Sequence, residues 1–281
     1  MLKITFFGTT TLLFDDGRDQ ILFDAHFTRP SIEKYIHGAF VTTNTGLCDK
    51  LIDLHHIDRL RAIFISHTHH DHVMDAPYIA GRCGATIYGS SSAKNVALGG
   101  GLPEAKTVVF KDGSEYSIGG YTIRIIKSLH SKPNKFNNDL GVPIEKPLAQ
   151  PASLRDYKEG GSYDFYIEYE EKKILIRPSF NYIEGQLEGI RADVLFLGVA
   201  GLAKADKDTE KAFFAETVEK TNARLVIPVH WDNFFAPLEK PVDEMPELIE
   251  KTEYVFFKLA KYCEAHDVNC LIQYPCTSIE I

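Results

Sequence analysis

The sequence is poor in several residue types and patterns, and each shortage excludes a class of protein. Only five of the 281 residues are cysteine, and no two of them form a Cys-x-x-Cys pair. An odd number of scattered cysteines argues against a disulfide framework and fits a reducing compartment. The most apolar run, near residues 194–203, contains two glycines and is too short to cross a bilayer. We therefore expect no integral membrane association.

Positive charge is also scarce, with 31 basic against 39 acidic residues and a net charge of −8. A protein that binds duplex nucleic acid needs a basic face, so we expect no nucleic-acid partner and a small-molecule substrate instead. Residues 1–8 lack the long apolar stretch and the small-residue cleavage site of a secretory signal, which predicts a cytoplasmic protein. The composition leaves homo-oligomer formation open.

Short apolar and aromatic runs, typical of strands, occur in both halves of the chain. In the first half they include residues 2–7, 20–24, 62–66 and 121–129. In the second half, strands at 194–197 and 225–229 alternate with helices at 209–221 and 247–266. A further helix is expected within residues 53–61. This rhythm predicts an α/β fold in which two sheets pack face to face with helices outside, as one domain over residues 1–281.

The densest group of metal-ligating residues is His67-Thr68-His69-His70-Asp71-His72. It directly follows the apolar run 62–66, whose end would provide a rigid mount. Metal binding needs several nitrogen or oxygen donors that converge on one point, and alternate side chains of a loop can supply them. The alternative is a histidine-rich surface turn, but the spacing favours the metal site.

The pattern His-x-His-x-Asp-His after a hydrophobic strand resembles the signature of the metallo-β-lactamase superfamily. Later landmarks follow in the expected order. His130 ends the predicted strand 121–129, and His230 ends Ile227-Pro228-Val229-His230. The resemblance implies an αββα sandwich with the site along one edge. It also implies that His67, His69 and His130 hold one metal, while Asp71, His72 and His230 hold a second.

One landmark of the superfamily is missing from this sequence. Members carry an aspartate that bridges the two metals, in a turn after a strand, and Ser179 falls at that place. A neutral hydroxyl is a poor substitute for the carboxylate. We therefore expect either one or two divalent ions per chain. Zinc is the expected metal, and manganese is the alternative.

Three further residues have weaker claims to the site. Asp24 resembles an aspartate that steadies the metal ligands from behind, although it could simply cap backbone at a strand end. Trp231 and Asp232 follow His230 and could line the pocket, although a lone Trp more often packs in a core. His26 is expected at the surface, and His70 is expected to point away from the metals.

The implied activity is hydrolysis of an ester-type bond by metal-activated water, with Asp71 as the catalytic residue that orients the water or takes its proton. The layout is most similar to the arm of the superfamily that includes ascorbate-6-phosphate lactonase and N-acyl-phosphatidylethanolamine phospholipase D, which implies a lactone or phosphodiester substrate. The alternative is a non-catalytic metal-binding or sensing protein on the same fold.

Residues 131–161 form the one long irregular connection in the predicted fold. Four prolines and several asparagines interrupt any regular pattern there. Because the segment begins directly after His130, we expect it to fold over the metal cleft and to select substrate. Lys132 and Asn134 are the first candidates for that contact.

Overall fold

The structure is a computed structural model that describes residues 1–133 and 138–281. Its strands are β1 (Lys3–Phe6), β2 (Leu12–Asp15), β3 (Gln20–Phe23), β4 (Phe40–Val41), β5 (Leu60–Phe64), β6 (Thr86–Gly89), β7 (Thr107–Val109), β8 (Glu115–Ile118), β9 (Tyr121–Ser128), β10 (Ala152–Ser153), β11 (Ser162–Tyr169), β12 (Lys172–Arg177), β13 (Val194–Gly198), β14 (Leu225–Val229), β15 (Asn269–Cys270) and β16 (Thr277–Glu280). Its helices are α1 (Ile32–Ile36), α2 (Thr45–Leu54), α3 (His70–Val73), α4 (Ala76–Cys83), α5 (Ser91–Gly99), α6 (Lys207–Phe214) and α7 (Thr252–Ala265).

Within the described residues the strands form two seven-stranded sheets and a small ribbon of β4 with β10. The first sheet has the order β16-β1-β2-β3-β5-β6-β7, and the second has the order β15-β14-β13-β12-β11-β9-β8. Each sheet is mixed. In the first, β3, β5, β6 and β7 run parallel to one another, and in the second β12, β13, β14 and β15 do so.

Alternation of side chains along the strands builds two layers of core. On β5, Ala62 and Phe64 face the core shared with the second sheet, whereas Ile63 packs under the helices α2, α4 and α5. Phe165 on β11 joins the two sheets, because its ring centroid lies 5.8 Å from that of Phe64. The helices α6 and α7 add Phe213 and Leu259 to the core of the second sheet. This is the predicted pair of sheets with flanking helices.

The chemistry-bearing residues all lie where strands end. They are Asp24 after β3, the segment 67–72 after β5, His130 after β9, Ser179 after β12 and His230 after β14. Two backbone hydrogen bonds join the sheets at this edge. The Tyr163 amide donates to the Ser66 carbonyl at 3.0 Å, and the His230 amide donates to the Thr9 carbonyl at 2.6 Å. The two halves of the candidate site are thereby fixed relative to each other.

Two predicted elements are wrong in their bounds. The helix expected at 53–61 ends at Leu54, and the chain from Leu60 onward is already in β5, where it pairs with β3. The last helix begins at Thr252 rather than at residue 247, because residues 247–250 form a turn whose Glu250 carboxylate accepts the amides of Gly201 and Ala203. None of the helices in residues 1–133 and 138–281 combines the length and apolarity that a membrane span needs.

Candidate metal centre

The segment after β5 presents its side chains from two kinds of backbone. The Ile65 amide still donates to the carbonyl of Tyr88 at 2.9 Å, which continues the strand pairing. His69 is extended and precedes α3, and the amide of His72 donates to the His69 carbonyl at 3.0 Å. His69 therefore projects from extended backbone, whereas Asp71 and His72 project from the first helical turn.

The first group of possible ligands consists of His67, His69 and His130. One side-chain nitrogen from each lies within 4.8 Å of the others, and the ring centroids are 4.7 to 5.0 Å apart. In each ring another contact engages one particular nitrogen. His67 Nδ1 lies 3.2 Å from Ser66 Oγ, His69 Nε2 lies 3.1 Å from Asp139 Oδ1, and His130 Nδ1 lies 3.2 Å from the carbonyl of Ser131.

The second group consists of Asp71, His72 and His230, whose ligand atoms also lie within 4.8 Å of one another. Asp71 Oδ2 is 3.5 Å from His72 Nε2 and 3.4 Å from His230 Nε2. The two groups are adjacent, because the rings of His67 and His72 have centroids only 3.8 Å apart. The structure thus brings together all six residues that the sequence singled out.

Asp24 is fully buried behind the second group. Its Oδ2 lies 2.7 Å from His72 Nδ1 and accepts the hydroxyls of Thr10 and Ser66 at 2.5 and 2.8 Å. Its Oδ1 accepts the Ser66 amide at 2.7 Å. Asp24 therefore fits both interpretations of its role, since it binds strand-end backbone and also orients an imidazole at the centre of the site.

Burial sets the protonation of these side chains. Burial first, and then the neighbouring imidazoles, lower the pKa of His130 to about 3 and that of His67 well below 6.5. These imidazoles are therefore neutral at pH 7, the form that binds metals. Burial opposes ionisation of Asp71, but His72 and His230 outweigh it and hold the pKa of that carboxyl well below 3.8. Asp71 is consequently an anion.

The donor atoms fit a divalent cation. Within the described residues, His67 Nε2 of the first group and His72 Nε2 of the second are buried without a hydrogen-bond partner. A buried polar atom without a partner costs about 1–3 kcal/mol, so a bound cation would stabilise both atoms. Imidazole nitrogens with one carboxylate are donors that zinc accepts, and such sites commonly use three protein ligands per ion. The two groups each offer three.

Residues 3–230 match the sequence profile of a family described as the Beta-lactamase superfamily domain. The chain belongs to the β-lactamase superfamily. The matched residues include all six members of the two groups. A curated relative from Myxococcus xanthus (strain DK1622), named UPF0173 metal-dependent hydrolase, is 35% identical over 182 residues. That alignment covers 63% of this chain and 57% of the relative, so the chain spans less than two thirds of the relative's length.

Two solved structures have a similar fold. YhfI from Bacillus subtilis, a metallo-β-lactamase fold protein, superposes with a TM-score of 0.58 at 15% identity, with 100% of both chains covered. The isothiocyanate hydrolase from Delia radicum gut bacteria gives a TM-score of 0.60 at 16% identity, with 99% of both chains covered. At such identities the likeness shows the fold alone. It confirms the predicted αββα sandwich.

His230 reaches the candidate site from a strained backbone. Its φ is 60°, a left-handed conformation that non-glycine residues rarely adopt, and the hydrogen bond from its amide to the Thr9 carbonyl holds it there. Asp232 stabilises the same turn, because its Oδ1 accepts the Thr9 amide at 2.7 Å and its Oδ2 pairs with Arg29 at 2.7 Å. Both members of that ion pair are buried. Asp232 therefore joins the loops around His230 instead of facing solvent.

Trp231 is 5% exposed, and its ring packs on Phe256 of α7 with centroids 5.1 Å apart. This is the packing role that a lone Trp most often has.

An arc of aromatic side chains lies beside the second group. The arc is defined by Tyr35, Phe235 and Phe234, with successive centroid distances of 5.8 and 4.4 Å, and Phe234 lies 5.2 Å from the ring of His230. All three aromatic residues are partly exposed.

Ser179 is 7% exposed and lies in the turn after β12. This turn contacts the first group through its neighbours. The Phe180 amide donates to Ser131 Oγ at 3.2 Å, and Asn181 Nδ2 donates to the carbonyl of His130 at 2.7 Å. The turn also packs closely on the end of β13, because a side chain at Gly198 would collide with the backbone of Pro178.

One expectation about a neighbouring histidine needs correction. His26 is completely buried rather than exposed at the surface, with Nδ1 3.4 Å from Thr9 Oγ1. His70 belongs to neither ligand group, as expected, and it is buried against Tyr35, with ring centroids 5.7 Å apart. Burial lowers the pKa of His70 to about 4. Both rings pack in the wall of the site.

Sequence reasoning missed Asp139 and Glu159, which contact the metal-ligand segment from residues 138–161. Asp139 reaches His69, and the carbonyl of Glu159 accepts the Thr68 amide at 2.9 Å. The length of the segment and its start at His130 were the available signals, but they did not indicate these two residues. Lys132 is exposed, and Asn134 lies outside the described residues.

Proposed function

We propose that this protein is a metal-dependent hydrolase whose ions are bound by His67, His69 and His130 and by Asp71, His72 and His230. The observation that carries the proposal is the convergence of these two triplets, each within 4.8 Å, together with the buried ring nitrogens that have no partner in the described residues. The name of the Myxococcus xanthus relative supports the same activity.

Asp71 is the residue that we assign to the chemical step. A divalent cation held here would supply Lewis acidity that polarises a carbonyl or phosphoryl oxygen and activates water at neutral pH. Asp71 is ionised and lies between His72 and His230, so its carboxylate can orient the attacking water and accept its proton. Asp24 holds His72 in place from behind, which keeps Asp71 in a fixed environment.

A small molecule with a lactone or phosphodiester bond is the substrate class that we propose, as the resemblance implies. The aromatic arc supports an organic substrate, because its three partly exposed rings provide an apolar surface beside Asp71 and His230. The net charge of −8 disfavours a nucleic acid. We further propose that residues 131–161 contribute to substrate selection, and that the protein works in the cytoplasm, where its five free thiols would stay reduced.

We propose zinc as the native metal, with one ion bound more tightly than the other. Four of the six donors in the two groups come from the segment 67–72, and five are imidazoles. Ser179 provides no carboxylate to bridge and screen two cations, so the second ion should dissociate more readily.

The test is turnover of a panel of lactones, phosphodiesters and simple carboxylic esters by protein stripped of metal and then reloaded with zinc or manganese. We expect hydrolysis of at least one class that requires metal and is lost in Asp71→Asn. Tight metal binding without turnover of any class would favour the metal-sensing alternative. Metal-independent turnover would contradict the proposal.

A further inference from the structure

We propose that Asp139 is a positioning residue for His69, so that residues 138–161 set the affinity of the first metal group. The inference rests on the proposed metal site. Asp139 is 70 residues away from His69 in the chain, and its Oδ1 lies 3.1 Å from His69 Nε2. The contact therefore joins a distant segment of the chain to one ligand of the site.

The contact fixes which nitrogen of His69 is available. If Nε2 donates its proton to Asp139, the lone pair is on Nδ1, which then faces His67 and His130. The arrangement has a counterpart in the second group, where Asp24 lies 2.7 Å from His72 Nδ1 and leaves Nε2 for the metal. A carboxylate behind a ligating imidazole orients the ring and makes it a stronger ligand.

Asp139 is held in position by a buried carboxylate. Glu159 is 4% exposed, and its Oε2 accepts the amides of Gly141 at 2.7 Å and Gly161 at 2.9 Å. The Val142 amide donates to the Asp139 carbonyl at 3.0 Å, and the Gly160 amide donates to the Val142 carbonyl at 3.0 Å. The turn that carries Asp139 is therefore fastened to the other end of the same segment.

That other end is itself bound to the ligand segment. The Thr68 amide donates to the Glu159 carbonyl at 2.9 Å, and the Thr68 hydroxyl donates to the Lys158 carbonyl at 2.5 Å. Gly160, with a φ of 69°, passes so close to Thr68 and Ser92 that a side chain would collide with both. Residues 138–161 thus contact Thr68 through backbone and His69 through Asp139, on either side of one peptide bond.

A plain surface ion pair would have different consequences from a positioning residue. Exposed pairs contribute little to stability and require no metal. The His69 and Asp139 side chains are only 16% and 20% exposed, and the pair lies beside the first group. A positioning residue should change metal affinity while the metal-free protein keeps its stability.

The experiment measures zinc affinity by competition with a chromophoric chelator, alongside the melting temperature of the metal-free protein. We expect Asp139→Ala to weaken zinc binding at the first group about 10-fold to 100-fold. Asp139→Asn, which keeps an acceptor, should give an intermediate loss. The matched control is Asn138→Ala, an exposed neighbour in the same segment, which should bind zinc as the wild type does.

A second arm places Asp139→Ala in a His69→Gln background, where it should have no further effect on zinc affinity because its partner is gone. The inference is overturned if Asp139→Ala binds zinc like the wild type, or if its effect persists undiminished without His69. It is also overturned if Asp139→Ala lowers the metal-free melting temperature and Asp139→Asn restores stability and full affinity together, because the loss of affinity would then follow from the loss of stability. Failure of the wild type itself to bind zinc would instead refute the proposed function, and this inference with it.

Discussion

The two ligand groups differ in charge and in what supports them. The first group contains three imidazoles, and its His69 is backed by Asp139, whose side chain is 20% exposed and which itself lies in no helix or strand. The second group contains the anion Asp71, and its His72 is backed by Asp24, which is 1% exposed at the end of a central strand. Because Asp24 is buried at the end of a central strand, we expect the orientation of His72 to be insensitive to substitutions at the protein surface.

The difference implies distinct properties for the two groups. A cation in the second group is partly neutralised by Asp71, whereas one in the first group has only neutral ligands and the more distant charge of Asp139. Without a carboxylate at Ser179, the charge of Asp71 is the main anionic contribution from the ligands themselves. The two groups should therefore respond differently when ligands, supports and pH are changed.

The largest expected effect comes from removing one ligand of each group. We expect His69→Ala and His72→Ala each to weaken zinc binding by more than about 100-fold, which exceeds the loss for a supporting residue. Zinc content by elemental analysis after dialysis against a weak chelator would measure this, with His266→Ala, on an exposed histidine, as the control. A His69→Ala protein that retains the zinc content of the wild type would exclude the first group as a site.

The ligands were predictable from sequence because they follow a short-range motif and strand ends. The spacing of His67 to His72 needs no knowledge of the tertiary fold, and His130 and His230 each end an apolar run. Sheet pairing then brings strand ends to one edge. Asp139 and Glu159 could not be found in this way, because their partners are 70 or more residues distant and their segment has no periodicity.

Local misassignments have equally specific causes. The residues of α2 were not predicted as a helix, although Asn44 caps it by accepting the Leu47 amide at 3.1 Å. The polar residues 53–61 looked helical, but tertiary pairing of Leu60 and its successors with β3 gives a strand. His26 looked like a surface residue because a lone histidine carries no signal of the layers that bury it.

The support from Asp24 should have the next largest effect. Asp24→Asn keeps the size of the side chain but removes the charge behind His72, so we expect zinc affinity at the second group to fall about 10-fold or more. The affected group can be identified by cobalt substitution and its absorption spectrum. Equal zinc affinity for Asp24→Asn and the wild type would show that the carboxylate only accepts hydrogen bonds from Thr10 and Ser66 and does not support the metal ligand.

Restoring a carboxylate at position 179 should increase metal affinity. We expect the wild type to hold fewer than two ions tightly, and Ser179→Asp to raise the affinity of the weaker ion about 10-fold, since an anion would then screen the two cations. Ser179→Asn is the control, because it adds a similar volume without charge. Two ions per chain at full occupancy in the wild type, under the same dialysis, would contradict the prediction.

The smallest expected effect is on how the free energy of unfolding changes with pH. It distinguishes the first group from the second in the metal-free protein. Burial lowers the pKa of His130 to about 3, below its ordinary 6.5, so the folded metal-free protein does not take up the proton that the unfolded chain accepts. Stability from this group is therefore complete above pH 6.5 and is lost as pH falls towards 3. Asp71, with its pKa held below 3.8, keeps its contribution until more acid pH.

We accordingly expect the free energy of unfolding of the metal-free wild type, measured with urea, to fall between pH 6.5 and 5 relative to His130→Gln by about 1 kcal/mol. The comparison with the variant is needed because Asp75, whose pKa burial raises to about 6, titrates in the same window with the opposite sign. Its raised pKa stabilises the fold at low pH and is unaffected by the substitution. If wild type and His130→Gln show the same pH slope, the imidazole of His130 is accessible to protons in the folded protein, and the first group is less buried than its geometry indicates.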